Sequence, residues 1–76
     1  MNKIRVVLDT QTDVTEFVNI ANSFPETTQI FLEDGTGFRA NAKSLMGVMY
    51  GRFEFKELYV LSEDSHLSNK FIKFMI

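Results

Sequence analysis

The 76-residue sequence predicts a single α+β domain, a four-stranded antiparallel sheet with three helices packed on one face. Three observations predict it. Short stretches alternate apolar and polar residues, as in Ile4, Val6 and Leu8, and this period of two marks strands buried on one side. Another stretch spaces apolar residues as a helix does, at Val14, Phe17, Val18 and Ala21. The connections are short, so the apolar faces share one core.

Taken in order, Lys3 to Leu8 is rich in β-branched residues and reads as the first strand. Asp9 to Asp13 is dense in Thr and Asp, which suits a turn and a helix cap. The helix then runs from about Asp13 to Ser23, with Glu16 in its first turn complementing the dipole. Pro25 pushes Phe24 out of helical geometry and ends the element. Thr28 to Glu33 is the second strand, with Ile30 and Leu32 on one face. Asp34-Gly35-Thr36-Gly37 is a turn, and Phe38 to Ala40 returns as a short third strand.

Ser44 stands before Leu45-Met46-Gly47-Val48-Met49-Tyr50, a short helix that Gly51 closes at its C′ position. Phe53 and Phe55 either extend the apolar surface of this helix or open the next strand. Glu57 to Leu61 is the fourth strand, with Leu58 and Val60 together. Ser62 to Ser65 places acids and cap hydroxyls at a helix start. Leu67, Phe71 and Phe74, widened by Met75, form the stripe of a terminal helix whose wet face carries Lys70 and Lys73. The order is β-α-β-β-α-β-α.

Composition narrows the function. Hydrophobic residues make up 45% of the chain and eight residues are Phe, enough for one core. The net charge of −2 leaves no basic footprint for nucleic acid. No apolar run is long enough to span a bilayer, and the N-terminal stretch is too polar for a signal peptide, so a cytoplasmic protein is expected. Without cysteine there is neither a disulfide framework nor a thiolate metal site. His66, the only histidine, lies beside Glu63, Asp64 and Ser65 and alone makes a poor metal ligand set or catalytic triad. No cofactor and no catalytic residue is expected.

The segment Asn41-Ala42-Lys43-Ser44-Leu45-Met46-Gly47-Val48-Met49 closely resembles the regulatory-serine segment of HPr, the phosphocarrier of the bacterial sugar phosphotransferase system. The family pattern there is N-A-K-S-I-M-G-L-M, so only Leu45 and Val48 differ, both conservatively. The element order is also that of the HPr family, an open-faced sandwich, and the segment falls in its place between strands three and four. Strong identity is confined to this segment. Family members also carry G-L-H-A-R-P-A-A between the first strand and first helix, where the His accepts phosphate from Enzyme I. Here the stretch reads Leu8-Asp9-Thr10-Gln11-Thr12-Asp13-Val14, without His, Arg or Pro and a few residues short.

The resemblance therefore implies a non-catalytic regulatory or docking relative. A phosphothreonine at Thr10 or Thr12 would lack the transfer potential of a phosphohistidine, and His66 is the only imidazole left for any carrier role. Ser44 suits a helix N-cap on its own. The resemblance adds phosphorylation by an HPr kinase, with Lys43 available to balance charge and no Arg at Thr12 to help. Lys43, Leu45, Met46, Met49 and Tyr50 are the candidate partner-binding residues, since a Met- and aromatic-rich patch adapts to partners. The partners implied are proteins, an HPr kinase or a transcriptional regulator. The alternatives are a purely structural interaction module with an HPr fold and a phosphocarrier that uses a non-standard residue.

Overall fold

The computed structural model describes residues 1–76. The elements are β1 (Asn2–Val6), α1 (Gln11–Asn22), β2 (Ile30–Glu33), β3 (Arg39–Asn41), α2 (Leu45–Glu54), β4 (Leu58–Ser62) and α3 (Leu67–Lys70), followed by a 3₁₀ turn at Ile72–Phe74. All strand pairs are antiparallel, in the order β1-β4-β2-β3. Registers Ile4↔Val60 and Leu32↔Val60 align one apolar row across three strands. That row faces the helices, as the alternation in the sequence requires.

The core beneath the helices contains Val14, Phe17, Val18 and Ala21 from α1, and Leu67, Phe71 and Phe74 from the C-terminal segment. Phe71 is fully buried. Its ring centroid lies 4.8 Å from that of Phe17 and 5.9 Å from that of Phe24, which stacks on it. The other face of the sheet carries charge. Lys3 lies 4.6 Å over the Tyr59 ring and Arg39 5.0 Å over the Phe31 ring. Glu33 sits between these two cations. The hydrogen bond from Arg39 and the charge of Lys3 hold its carboxyl below the ordinary range, outweighing desolvation.

Several boundaries differ from the sequence reading. β1 ends at Val6, not Leu8, because the Val7 N–H turns to the Phe74 carbonyl (2.8 Å); Leu8 is still buried. α1 starts at Gln11 because Thr10 caps it, so Asp9–Asp13 is partly helix. Glu16 thus lies beyond the first turn and pairs with Lys73 instead, which takes Lys73 off the purely wet face. β2 begins at Ile30 rather than Thr28, and β3 and β4 each lie one residue later than expected. The terminal helix breaks after Lys70 into the 3₁₀ turn, and Met75 leaves the stripe to bridge Val6 at the sheet edge.

The largest difference concerns Gly51. It does not close α2 but lies inside it, buried, and the helix runs on to Glu54 with Phe55 as the extended C-cap. A Cβ at Gly51 would stand 2.8 Å from Phe38 Cε2 and 3.2 Å from Leu32 Cδ2. The glycine is there for close approach of the helix to the sheet, not for a left-handed turn. The β2–β3 turn is built differently. Gly35 has φ +89°, and the Asp34 carboxylate accepts N–H bonds from Thr36 (2.9 Å), Gly37 (3.2 Å) and Phe38 (3.1 Å). It also accepts the Thr36 hydroxyl.

Two outcomes follow. Gly51→Ala gains about 1 kcal/mol of helix propensity but overpacks Phe38 at a cost of about 1–3 kcal/mol, so urea unfolding should show a net loss of stability. The Thr36 hydroxyl and the three amides lower the Asp34 pKa from 3.8 to about 2. Its folded value lies below its unfolded one, so its stabilising contribution is present above pH 3.8 and is lost as pH falls through about 2. Asp34→Asn should remove that portion of the acid dependence of the unfolding midpoint.

Candidate functional site

The segment singled out in the sequence forms the start of α2. Ser44 is extended (φ −95°, ψ 115°) and its hydroxyl accepts the Gly47 N–H at 3.2 Å. This is an N-cap, satisfying one amide the helix cannot. Asn41 shapes the approach, its side chain accepting the Lys43 N–H (2.9 Å) and its carbonyl the Ser44 N–H (2.9 Å). The Lys43 ammonium donates to the Pro25 carbonyl at 3.0 Å, while the Asn22 amide donates to the Lys43 carbonyl at 3.1 Å. These bonds lash the start of α2 to the end of α1. They also turn Lys43 away from the apolar row that follows.

That row is exposed. Leu45 is 44% exposed, Met46 80%, Met49 40% and Tyr50 55%. Four of the five residues expected to meet a partner therefore share one outward face. Phe53, at 83% exposure, extends it by a further turn. The opposite side of α2 supplies Val48 and Gly51 to the interior. Tyr50 is steadied by Phe38, their centroids 5.6 Å apart, and Phe38 in turn stacks on Phe55 at 4.8 Å. The signal for Phe53 was present in the sequence, since 45, 49 and 53 repeat at i+4. Of the two readings open for Phe53, extension of the helix surface holds, while Phe55 caps the helix in an extended conformation.

Arg52 went unassigned in the sequence reading. Its Nε donates to the Leu8 carbonyl at 2.9 Å and its Nη2 to the Asp9 carbonyl, joining the end of α2 to the β1–α1 loop. No local pattern reveals this, because the partners are 44 and 43 residues away. The other side of the loop is held by α1. Thr10 Oγ1 accepts the Asp13 N–H (3.1 Å), and Asp13 Oδ2 accepts the N–H groups of Asp9 (2.9 Å) and Thr10 (3.2 Å). The N-terminus of α1 thus carries its own carboxylate in a reciprocal capping box. Beside the loop, Val6–Asp9, Arg52–Lys56 and Leu58 line an open groove of about 500 Å³.

His66 lies outside this region. It caps α3 without a side-chain bond, its ring exposed and its Nδ1 3.3 Å from Asp64 Oδ1. Nowhere do three His, Asp or Glu side chains converge in a group that could hold a metal ion. No helix is long and apolar enough to cross a membrane.

A four-stranded antiparallel sheet with helices on one face defines an open-faced sandwich. No family model matches the sequence, and neither does any curated protein. The fold does have solved counterparts. The crystal structure of the phosphocarrier protein HPr from Bacillus anthracis str. Ames is similar with a TM-score of 0.71 and 25% identity, over 97% of this chain and 96% of that one. HPr-C-His from Thermoanaerobacter tengcongensis is similar with a TM-score of 0.67 and 24% identity, over 96% and 84%. The chain has an HPr-like fold along nearly its whole length.

The loop geometry generates one expectation. Asp13→Ala removes half of the capping box and should cost about 0.5–2 kcal/mol. Hydrogen exchange should show faster exchange at the Asp9 and Thr10 amides, with the β4 amides still protected.

Proposed function

We propose that this chain is a regulatory docking protein related to the phosphotransferase-system phosphocarriers but without phosphocarrier activity. The apolar face of α2 binds a protein partner, and phosphorylation of Ser44 controls the binding. The observation that carries this reading is the uncovered row from Leu45 to Phe53, which begins one residue after an exposed serine cap. Exposed apolar rows of this kind mark interaction sites, and methionine and aromatic side chains adapt to a partner's surface.

The relation to phosphocarriers is supported by the fold shared with the two HPr structures. Against a carrier role stands the β1–α1 loop, Val7 to Thr10, which offers no imidazole and is closed by Asp13. His66 sits at α3 instead, with its ring beside Asp64. On this reading the chain acts by binding, and its partner is an HPr kinase or a transcriptional regulator. The cytoplasm is the compartment that goes with such partners.

Control through Ser44 is supported by its exposed position at the N-terminus of a ten-residue helix with no acidic residue in its first turn. A phosphate there meets free amides and the positive end of the dipole, with Lys43 adjacent. One observation favours a second reading, a structural module with no phosphotransferase connection: the bond from the Gly47 N–H explains the serine as a cap alone.

Incubation with an HPr kinase and ATP separates the two. Mass spectrometry should show one added phosphate that Ser44→Ala abolishes. An unmodified chain, or modification that survives the substitution, removes the gated reading. Phosphoenolpyruvate and Enzyme I should leave no acid-labile phosphate on the chain, and a label lost in His66→Ala would instead establish a carrier.

A further inference from the structure

Resting on the reading of α2 as a docking face, we propose that its resident partner is a second copy of this chain. The two α2 helices pack antiparallel across a two-fold axis at Met49. The spacing of the row is the first argument. Leu45, Met49 and Phe53 repeat at i+4 and stand symmetrically about position 49, so reversal sets Leu45 opposite Phe53, Met49 opposite itself, and Met46 level with Arg52. The smaller Leu45 then meets the Phe53 ring twice, once on each side of the axis, as a self-complementary isologous contact requires.

Charge is the second argument. From Leu45 to Gly51 the helix carries no charged residue. The exposed stripe of α1 that ends at Asn22, itself bonded to Lys43, is Thr12, Thr15, Asn19 and Asn22, also uncharged. Beyond Gly51 the row passes between Arg52, which donates to the Leu8 and Asp9 carbonyls, and Glu54. Reversal sets these level with Met46 and Ser44, so two copies of a chain with net charge −2 meet on this face without opposing like charges. Depletion of charge with enrichment in Met, Tyr and Phe is the composition of an interface core.

Area is the third. At their observed exposures the five side chains leave on the order of 600 Å² uncovered per copy. Covering both rows buries ~1,200 Å², the lower bound of specific interfaces. A second copy therefore reaches that bound only by covering the whole row at once. The dimer is accordingly reversible and concentration-dependent. In it Ser44 of one copy lies level with Glu54 of the other, so a phosphate on Ser44 opposes a carboxylate and releases the face.

Sedimentation equilibrium of the full chain from micromolar to millimolar concentration tests this. A monomer–dimer equilibrium is expected. Phe53→Ser and Met46→Ser, both at exposed positions and leaving the circular dichroism unchanged, should each shift it to monomer. Ser44→Asp should weaken association by about tenfold, and adding Glu54→Lys should restore it. A wild-type chain that stays monomeric throughout overturns the proposal, as does a dimer that persists in Phe53→Ser. Weakening by Ser44→Asp that Glu54→Lys leaves unrelieved overturns the antiparallel arrangement. Kinase modification of Ser44 is read separately, so a monomeric but modifiable chain removes the dimer and leaves the proposed function standing.

Discussion

The ring of Phe71, buried between Phe17 and Phe24, is the contact on which the rest of the structure depends. Phe17 belongs to α1, Phe24 to the turn after it, and Phe71 to a C-terminal segment whose one-turn helix could not persist alone. Phe74 adds a T-shaped contact to Phe17 at 5.9 Å. The segment so anchored then borders the sheet, where the Phe74 carbonyl takes the Val7 N–H. A small domain has little apolar surface to spare, and four phenylalanines hold three chain segments on one face of the sheet.

The placement of α2 follows a different constraint. Gly51 lets the helix settle onto Phe38 and Leu32, and Val48 fills the space beneath. A helix ten residues long with a single buried side has to present the other outward, and in this chain that other side is apolar. The surface on which the functional reading rests is thus a consequence of how closely the helix approaches the sheet.

The β1–α1 loop shows how one carboxylate and one guanidinium set a local chemistry. The Asp9 peptide is held on its N–H side by Asp13 and on its carbonyl side by Arg52. Its hydrogen-bonding capacity is consumed within the chain, which leaves little at this end of α1 to receive an outside anion. The N-terminus of α2 carries no acidic residue in its first turn and is the more receptive of the two. The electrostatics of the two helix starts therefore favour Ser44 over the loop as the place where charge could be added.

Local patterns in the sequence determined the four strands, the helix stripes, the Ser44 cap and the apolar character of residues 45 to 50. Each depends on neighbours within a few residues, where periodicity and capping chemistry operate. Tertiary structure decided the rest. Gly51 reads as a stop because glycine ends helices, yet the nearness of Phe38 makes it an interior residue. Phe53, open between the helix surface and the next strand, went to the helix surface once α2 ran on to Glu54. Arg52 found acceptors in a loop 43 and 44 residues away. Contacts between distant segments leave no period in the chain, so they appear only when the segments meet.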